Sequence, residues 1–177
     1  MKKAQVKDLT FDIFLPHSEI QNKIKDIAQK IELDYAGKKP ILVGILNGSF
    51  RFLADLVNYL SLPIQVCFVK VASYHGTSST GQIKRLIGLD IDIENQDVII
   101  IEDIVDTGLT MVEILRDLNH QHPASLEIVT LLVKPDKLQA KLNLKYVGFS
   151  IPNEFVVGYG LDYDGLGREL NDIYKLG

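Results

Sequence analysis

The sequence predicts an α/β fold, with a mostly parallel central sheet and helices on both faces, in a single domain over residues 1–177. Three observations lead there. Short runs rich in Val and Ile recur between turn residues, stretches of helical periodicity separate them, and polar segments leave several of the runs at one end.

The first helical stretch places Ile20, Ile24, Ile27 and Ile31 on one face, and Ser18-x-x-Gln21 before it matches a capping box. Ile41 to Leu46 reads as a buried strand, continuous in apolar residues as a strand covered on both faces must be. A second helix follows Ser49, with Phe52, Leu53, Leu56, Val57 and Leu60 as its apolar stripe. Ile64 to Val71 and Val98 to Ile101 are two further buried strands. The third helix starts near Thr110, where Thr110-x-x-Glu113 suggests another capping box, and Val112, Ile114, Leu115 and Leu118 are expected to pack inward. Ile128 to Val133 closes the series as a buried strand. Strands alternating with helices imply right-handed crossovers, and ligands of such sheets gather at the carboxyl ends of the strands.

Composition limits the partners. The 177 residues are 46% hydrophobic, enough for a sizeable core, and carry 19 Lys and Arg against 23 Asp and Glu. The net charge is -4, and no basic run exceeds two residues, so neither a nucleic-acid surface nor a tail for polyanions is expected. Small anions remain accessible to helix termini and backbone amides. The single cysteine, Cys67, has no partner for an internal disulfide, which fits a reducing compartment. No apolar segment is long enough to span a bilayer, and the Lys2/Lys3 start is not followed by a signal-type stretch, so a cytoplasmic protein without membrane contact is expected. The four histidines, His17, His75, His120 and His122, lack metal-ligand spacing.

Three segments leave strand ends: Asn47-Gly48-Ser49, the stretch from Ser73 to Arg85, and Glu102 to Thr110. The second, Ser73-Tyr-His-Gly-Thr-Ser-Ser-Thr-Gly81, has no apolar periodicity and reads as a mobile lid. The third carries the chemistry. Asp106, Thr107, Gly108, Leu109 and Thr110 wrap the amino end of a helix, where free N–H groups and the dipole favour an anion and two hydroxyls add donors. This is a monophosphate cradle, and it lacks the Gly-x-x-x-x-Gly-Lys-Ser/Thr and Gly-x-Gly-x-x-Gly patterns of nucleoside triphosphate and dinucleotide loops. Glu102 and Asp103 at the strand end can accept hydrogen bonds from a vicinal diol and help hold a hydrated divalent cation. A ribose phosphate offers both groups. The plainer alternative is an acidic strand end followed by a Thr-capped helix.

Glu102-Asp-Ile-Val-Asp-Thr-Gly-Leu-Thr110 resembles the phosphoribosyl pyrophosphate signature of type I phosphoribosyltransferases. Lys134 after Leu-Leu-Val, the run Ile151-Pro-Asn-Glu-Phe-Val-Val-Gly-Tyr-Gly-Leu-Asp-Tyr163, and Arg168 narrow the resemblance to the hypoxanthine-guanine members. It covers nearly the whole chain and implies a type I phosphoribosyltransferase fold with a small hood subdomain and a lid containing Ser73 and Tyr74. In that family Glu102 and Asp103 would bind the ribose hydroxyls, the turn from 106 to 110 the 5-phosphate, and Asp106 would exchange a proton with purine N7. Lys134 would donate to O6 of a 6-oxopurine, Phe155 would stack on the ring, and Val156 would meet the base edge. Asp162 would stand near the base and help hold Mg2+, with Glu102 and Asp103 as further metal candidates. Asn47, Gly48 and Arg168 would bind pyrophosphate. Singly, Lys134 could be a solvated strand end, Phe155 a core ring and Arg168 an ion-pair partner; their joint order favours the site.

Two departures from the family pattern stand out. Asn47 replaces a common Lys or Arg, shifting contact to the amides of Gly48 and Ser49 and suggesting unusual peptide geometry there. Leu109 replaces a residue that is frequently polar. The resemblance implies phosphoribosyl pyrophosphate and a 6-oxopurine as substrates and a homodimer or homotetramer. The competing readings are a phosphoribosyltransferase for xanthine, adenine or a pyrimidine precursor, a nucleotide-sensing RNA-binding regulator with the same fold, and a structural domain with a vestigial site.

Overall fold

A computed structural model describes residues 2–72 and 84–177. Two strands, β1 (Lys3–Val6) and β2 (Leu9–Leu15), precede helix α1 (His17–Asp34). β3 (Ile41–Leu46), α2 (Phe50–Val57) and β4 (Gln65–Ala72) follow, then β5 (Lys84–Ile87), β6 (Asp97–Val105) and α3 (Leu109–Asn119). β7 (Ser125–Val133) runs into a 3₁₀ turn over Pro135–Lys137, and β8 (Tyr146–Ser150), β9 (Val156–Val157) and β10 (Ile173–Leu176) complete the order.

Among the described residues the central sheet has the order β5-β4-β3-β6-β7-β8, parallel throughout except for the antiparallel edge strand β5. Its two middle strands carry near-continuous apolar runs, over Ile41–Leu46 in β3 and over 98–101 in β6, because both faces are covered there. Alternation along β6 sends Ile99 and Ile101 into the core beneath α1 and α2, and Val98 and Ile100 into the core beneath α3. A smaller antiparallel sheet, β1-β2-β10-β9, brings the two ends of the chain together as the hood, with Val6, Phe11, Val157 and Tyr174 as its own core. No helix among the described residues is long and apolar enough to cross a membrane.

Several local expectations need correction. α1 begins at His17 behind Pro16, whose extended backbone (φ -64, ψ 146) is the boundary, so Ser18 lies inside the helix and forms no side-chain cap. α3 is capped by Gly108 at φ +80, a conformation that suits a residue without Cβ, and Thr110 lies one residue into the helix. In α3 Met111, Ile114 and Leu118 are buried and Leu115 is partly buried, whereas Val112 is exposed. α2 ends at Val57, so Leu60 packs from the following turn. β4 is not buried on both faces: Val66 is 41% and Phe68 36% exposed. Of the expected lid, Ser73, Tyr74 and His75 lie outside the described residues, and Lys84 and Arg85 belong to β5.

Candidate active site

β6 delivers the acids. Glu102 and Asp103 stand side by side near its carboxyl end, with their carboxyl groups within hydrogen-bonding reach of one another. Glu102 lines a hollow of about 110 Å³ together with Ile104, Val105, Asp106, Thr107, Gly108, Thr110 and Met111. Asp103 instead lies on the side of the loop after β3, packed so tightly on Gly48 that a Cβ there would come within 1.5 Å of its Oδ2. The two acids still feel one another. The Asp103 amide donates to Glu102 Oε1 at 3.3 Å. Burial, followed by the negative charge of Asp103, pushes the Glu102 carboxyl well above the ordinary carboxylate range. Burial raises Asp103 as well, opposed by its hydrogen bonds and by the charge of Arg168.

The turn after β6 has the form of an anion cradle. Asp106, Thr107, Gly108 and Thr110 line the hollow at the amino end of α3, where unpaired N–H groups and the dipole favour negative charge. Leu109 is 51% exposed and stands outside the lining, so a polar side chain at that position is not needed to shape the hollow. Residues after β7 press on the turn from outside: Gln139 N–H donates to Thr107 O at 2.9 Å, and a Cβ on Gly108 would meet Leu142 at 2.9 Å.

At the end of β7, Lys134 is 7% exposed, and its Nζ lies 3.6 Å from Asp106 Oδ2. Lys137 reaches the same oxygen at 3.1 Å. Phe155 stands at the hood rim, 43% exposed, its ring 5.9 Å from Phe11 and edge-on to Tyr163 at 5.7 Å. Val156 beside it is buried in β9.

In the loop after β3 the peptide Leu46–Asn47 is cis, in the segment where unusual peptide geometry was expected. Gly48 also meets the hood, because a Cβ on Gly160 would fall 2.1 Å from Gly48 O. Arg168 fastens this corner: Nη1 donates to Gly160 O at 2.6 Å and Nη2 pairs with Asp162 Oδ1 at 2.7 Å. Asp162 Oδ2 accepts from the Gly165 amide at 2.7 Å, so both of its oxygens are engaged.

Two groups of residues thus converge: the cradle with Glu102, Asp106 and Lys134, and the corner formed by Asp103, Gly48, Asp162 and Arg168. The family model described as phosphoribosyl transferase domain matches residues 11–164. The chain belongs to this phosphoribosyltransferase family. Its curated relatives include the hypoxanthine-guanine phosphoribosyltransferase of Staphylococcus aureus (strain Mu50), 46% identical over 160 residues that cover 90% of this chain and 89% of the relative. The Staphylococcus epidermidis (strain ATCC 12228) protein of the same name is 47% identical over 165 residues, 93% and 92% of the two chains. Among solved structures, a Staphylococcus aureus hypoxanthine phosphoribosyltransferase superposes with a TM-score of 0.90 at 46% identity, covering 94% of this chain and 91% of the other. A Trypanosoma cruzi hypoxanthine phosphoribosyl transferase gives 0.90 at 38% identity, with 98% and 95% covered.

The motifs of this phosphoribosyltransferase leave out Lys137 and give no individual role to Gly160 or Tyr163 within the run that contains them. Lys137 carried a usable signal. A Pro directly after a strand favours a turn, and in a 3₁₀ turn residues three apart share a side, which sets Lys137 beside Lys134.

Proposed function

We propose that the protein transfers the 5-phosphoribosyl group of phosphoribosyl pyrophosphate to N9 of hypoxanthine or guanine, releasing pyrophosphate, as a purine salvage enzyme. The observation that supports this most directly is the pairing of Asp106 with Lys134 beside a phosphate-sized cradle: a proton acceptor and an O6 donor 3.6 Å apart can address N7 and O6 of one purine edge. The 5-phosphate sits on the turn from 106 to 110, the ribose hydroxyls face Glu102 and Asp103, and pyrophosphate leaves toward Asn47, Gly48 and Arg168. As the C1–oxygen bond breaks and the C1–N9 bond forms, the N7 proton passes to Asp106. Positive charge developing on the sugar is met by the acids of β6. Phe155 stacks on the ring and Val156 contacts its edge.

The carboxylates of Glu102 and Asp103 are hard oxygen donors, which suits Mg2+ held by one or two carboxylates with water and substrate oxygens. Among the described residues no cluster of three or more His, Cys, Asp or Glu side chains forms a cage of its own. The ion would neutralise the departing pyrophosphate. Asp162 would join it by exchanging its bond to Arg168. A cytoplasmic homodimer or homotetramer completes the reading, supported by a buried free Cys67 and by the open apolar face of Val66 and Phe68.

The deciding experiment supplies phosphoribosyl pyrophosphate and Mg2+ with hypoxanthine, guanine, xanthine or adenine and follows nucleotide formation. Hypoxanthine and guanine are expected to react. Adenine, which presents an amino group to Lys134, is expected not to, and its conversion at a comparable rate would overturn the assignment of Lys134 to O6.

A further inference from the structure

The Asp106 carboxylate lies between two ammonium groups. Oδ2 accepts from Lys137 Nζ at 3.1 Å and lies 3.6 Å from Lys134 Nζ, while Oδ1 is buried without a hydrogen-bond partner. The backbone dictates this convergence. Lys134 N–H donates to Val105 O at 3.0 Å, which sets the end of β7 beside the turn, and Lys137 N–H donates back to Lys134 O at 3.0 Å to close the 3₁₀ turn. Side chains at i and i+3 eclipse in such a turn, so both lysines face the same acid.

We propose that Lys137 is a positioning residue that holds the Asp106 carboxylate in place while Lys134 turns away from it to the O6 of an incoming purine. The proposal rests on the roles given above to Asp106 and Lys134. A carboxylate with one cationic partner would lose that tether whenever the partner engaged the base, and would then be free to turn away from N7. A second cation removes the conflict. Lys134 is buried where the base edge would lie, whereas the Lys137 side chain is 38% exposed on the outer wall and can remain in place. Oδ1, which neither lysine takes, is then the atom left for N7.

Other charges on the packed elements do not duplicate this. Glu102 and Asp103 on β6 are acids, Asp136 and Lys141 after β7 are exposed, and Glu113 and Arg116 on α3 pair with each other. The test compares wild type with Lys137→Met, Lys137→Arg and Asp106→Asn, measuring steady-state kcat and KM for hypoxanthine and for phosphoribosyl pyrophosphate. Without the second tether Asp106 is held less firmly beside the base, so Lys137→Met should lower kcat with hypoxanthine by roughly threefold to tenfold. It should also raise KM for hypoxanthine by roughly threefold to tenfold, with KM for phosphoribosyl pyrophosphate within about twofold of wild type. Lys137→Arg should restore both. An unchanged kcat, equal losses for the two substrates, or no rescue by arginine overturns the proposal. Lys137→Gln takes the same measurements if the methionine variant does not fold. Full activity in Asp106→Asn would instead refute the role of Asp106 itself, a result separable from the behaviour of Lys137.

Discussion

At the scale of single residues, the site depends on which atoms are left open. Lys134 is the sharpest case. Its ammonium is nearly buried and already faces a carboxylate, so it sits ready as a donor without being solvated, and a bound O6 would take the place of water that is largely excluded. Lys134→Met keeps most of the stem's volume and removes only the charge. A hydrogen bond from a charged group contributes about 1.5 to 3 kcal/mol, so affinity for hypoxanthine should fall by roughly tenfold to a hundredfold. Calorimetric titration with phosphoribosyl pyrophosphate alone should change little, because the cradle and the β6 acids are untouched. Comparable losses for both ligands would place Lys134 outside the base subsite. Asp103 offers the opposite lesson. Its neighbour in sequence, Glu102, lines the hollow, whereas Asp103 packs on Gly48 of the loop after β3, so two adjacent acids serve different contacts.

At the scale of elements, legibility followed burial. Ile41–Leu46 and the apolar half of β6 were readable because both faces are covered and only apolar residues survive there. β1, β2, β5, β8, β9 and β10 were not, being short, mixed in polarity or at sheet edges, where pairing rather than composition makes the strand. Both capping-box readings failed because backbone at Pro16 and Gly108 had already set the helix starts. The cradle was legible since its residues are contiguous, whereas the corner of Gly160, Asp162 and Arg168 against Gly48 depends on a fold-back of more than a hundred residues. A polar tie at the other end of the strands escaped as well. Asp97 at the start of β6 accepts from Ser125 Oγ at the start of β7 at 2.5 Å and from Lys38 Nζ before β3 at 3.0 Å. The Ser125 bond, ahead of the Lys38 contact, lowers the Asp97 carboxyl below its ordinary range. A depressed folded value adds stability above the unfolded value near pH 4 and loses it as pH falls through the folded one. Asp97→Asn should therefore cost about 1 kcal/mol in urea unfolding at pH 7, with the difference from wild type closing below about pH 4. A constant difference across that range would show that the charge on Asp97 does not matter.

At the scale of the whole molecule, the hood must hold Gly160, Arg168 and Phe155 in register with loops on the central sheet. Apolar packing does part of this, since Val156, Tyr159, Leu161 and Ile173 join the core beneath α1 and α2. Polar ties direct it. The Tyr159 hydroxyl donates to Asp55 on α2, and Gln21 on α1 reaches the same carboxylate at 2.6 Å. The His17 amide donates to Asp172 at 2.8 Å. Arg51 on α2 spans the junction, with Nη1 donating to Glu169 O at 2.9 Å and Leu170 O at 2.8 Å, Nη2 to Asn171 Oδ1 at 2.7 Å, and the guanidinium 5.1 Å from the Tyr159 ring centroid. The first two bonds hold the segment that carries Arg168. Arg51→Ala should lower global stability by about 1 to 3 kcal/mol, as expected for loss of charge-assisted bonds to backbone carbonyls. Local opening should respond more than the global transition, so amide exchange at 168–171 should quicken while the β6 and β7 amides keep their protection apart from that global loss. Turnover should fall with it, because Arg168 then samples positions away from Gly160 and the pyrophosphate corner. Uniform acceleration across the hood and the central sheet would mean that Arg51 supports the fold as a whole and does not set the hood on the site.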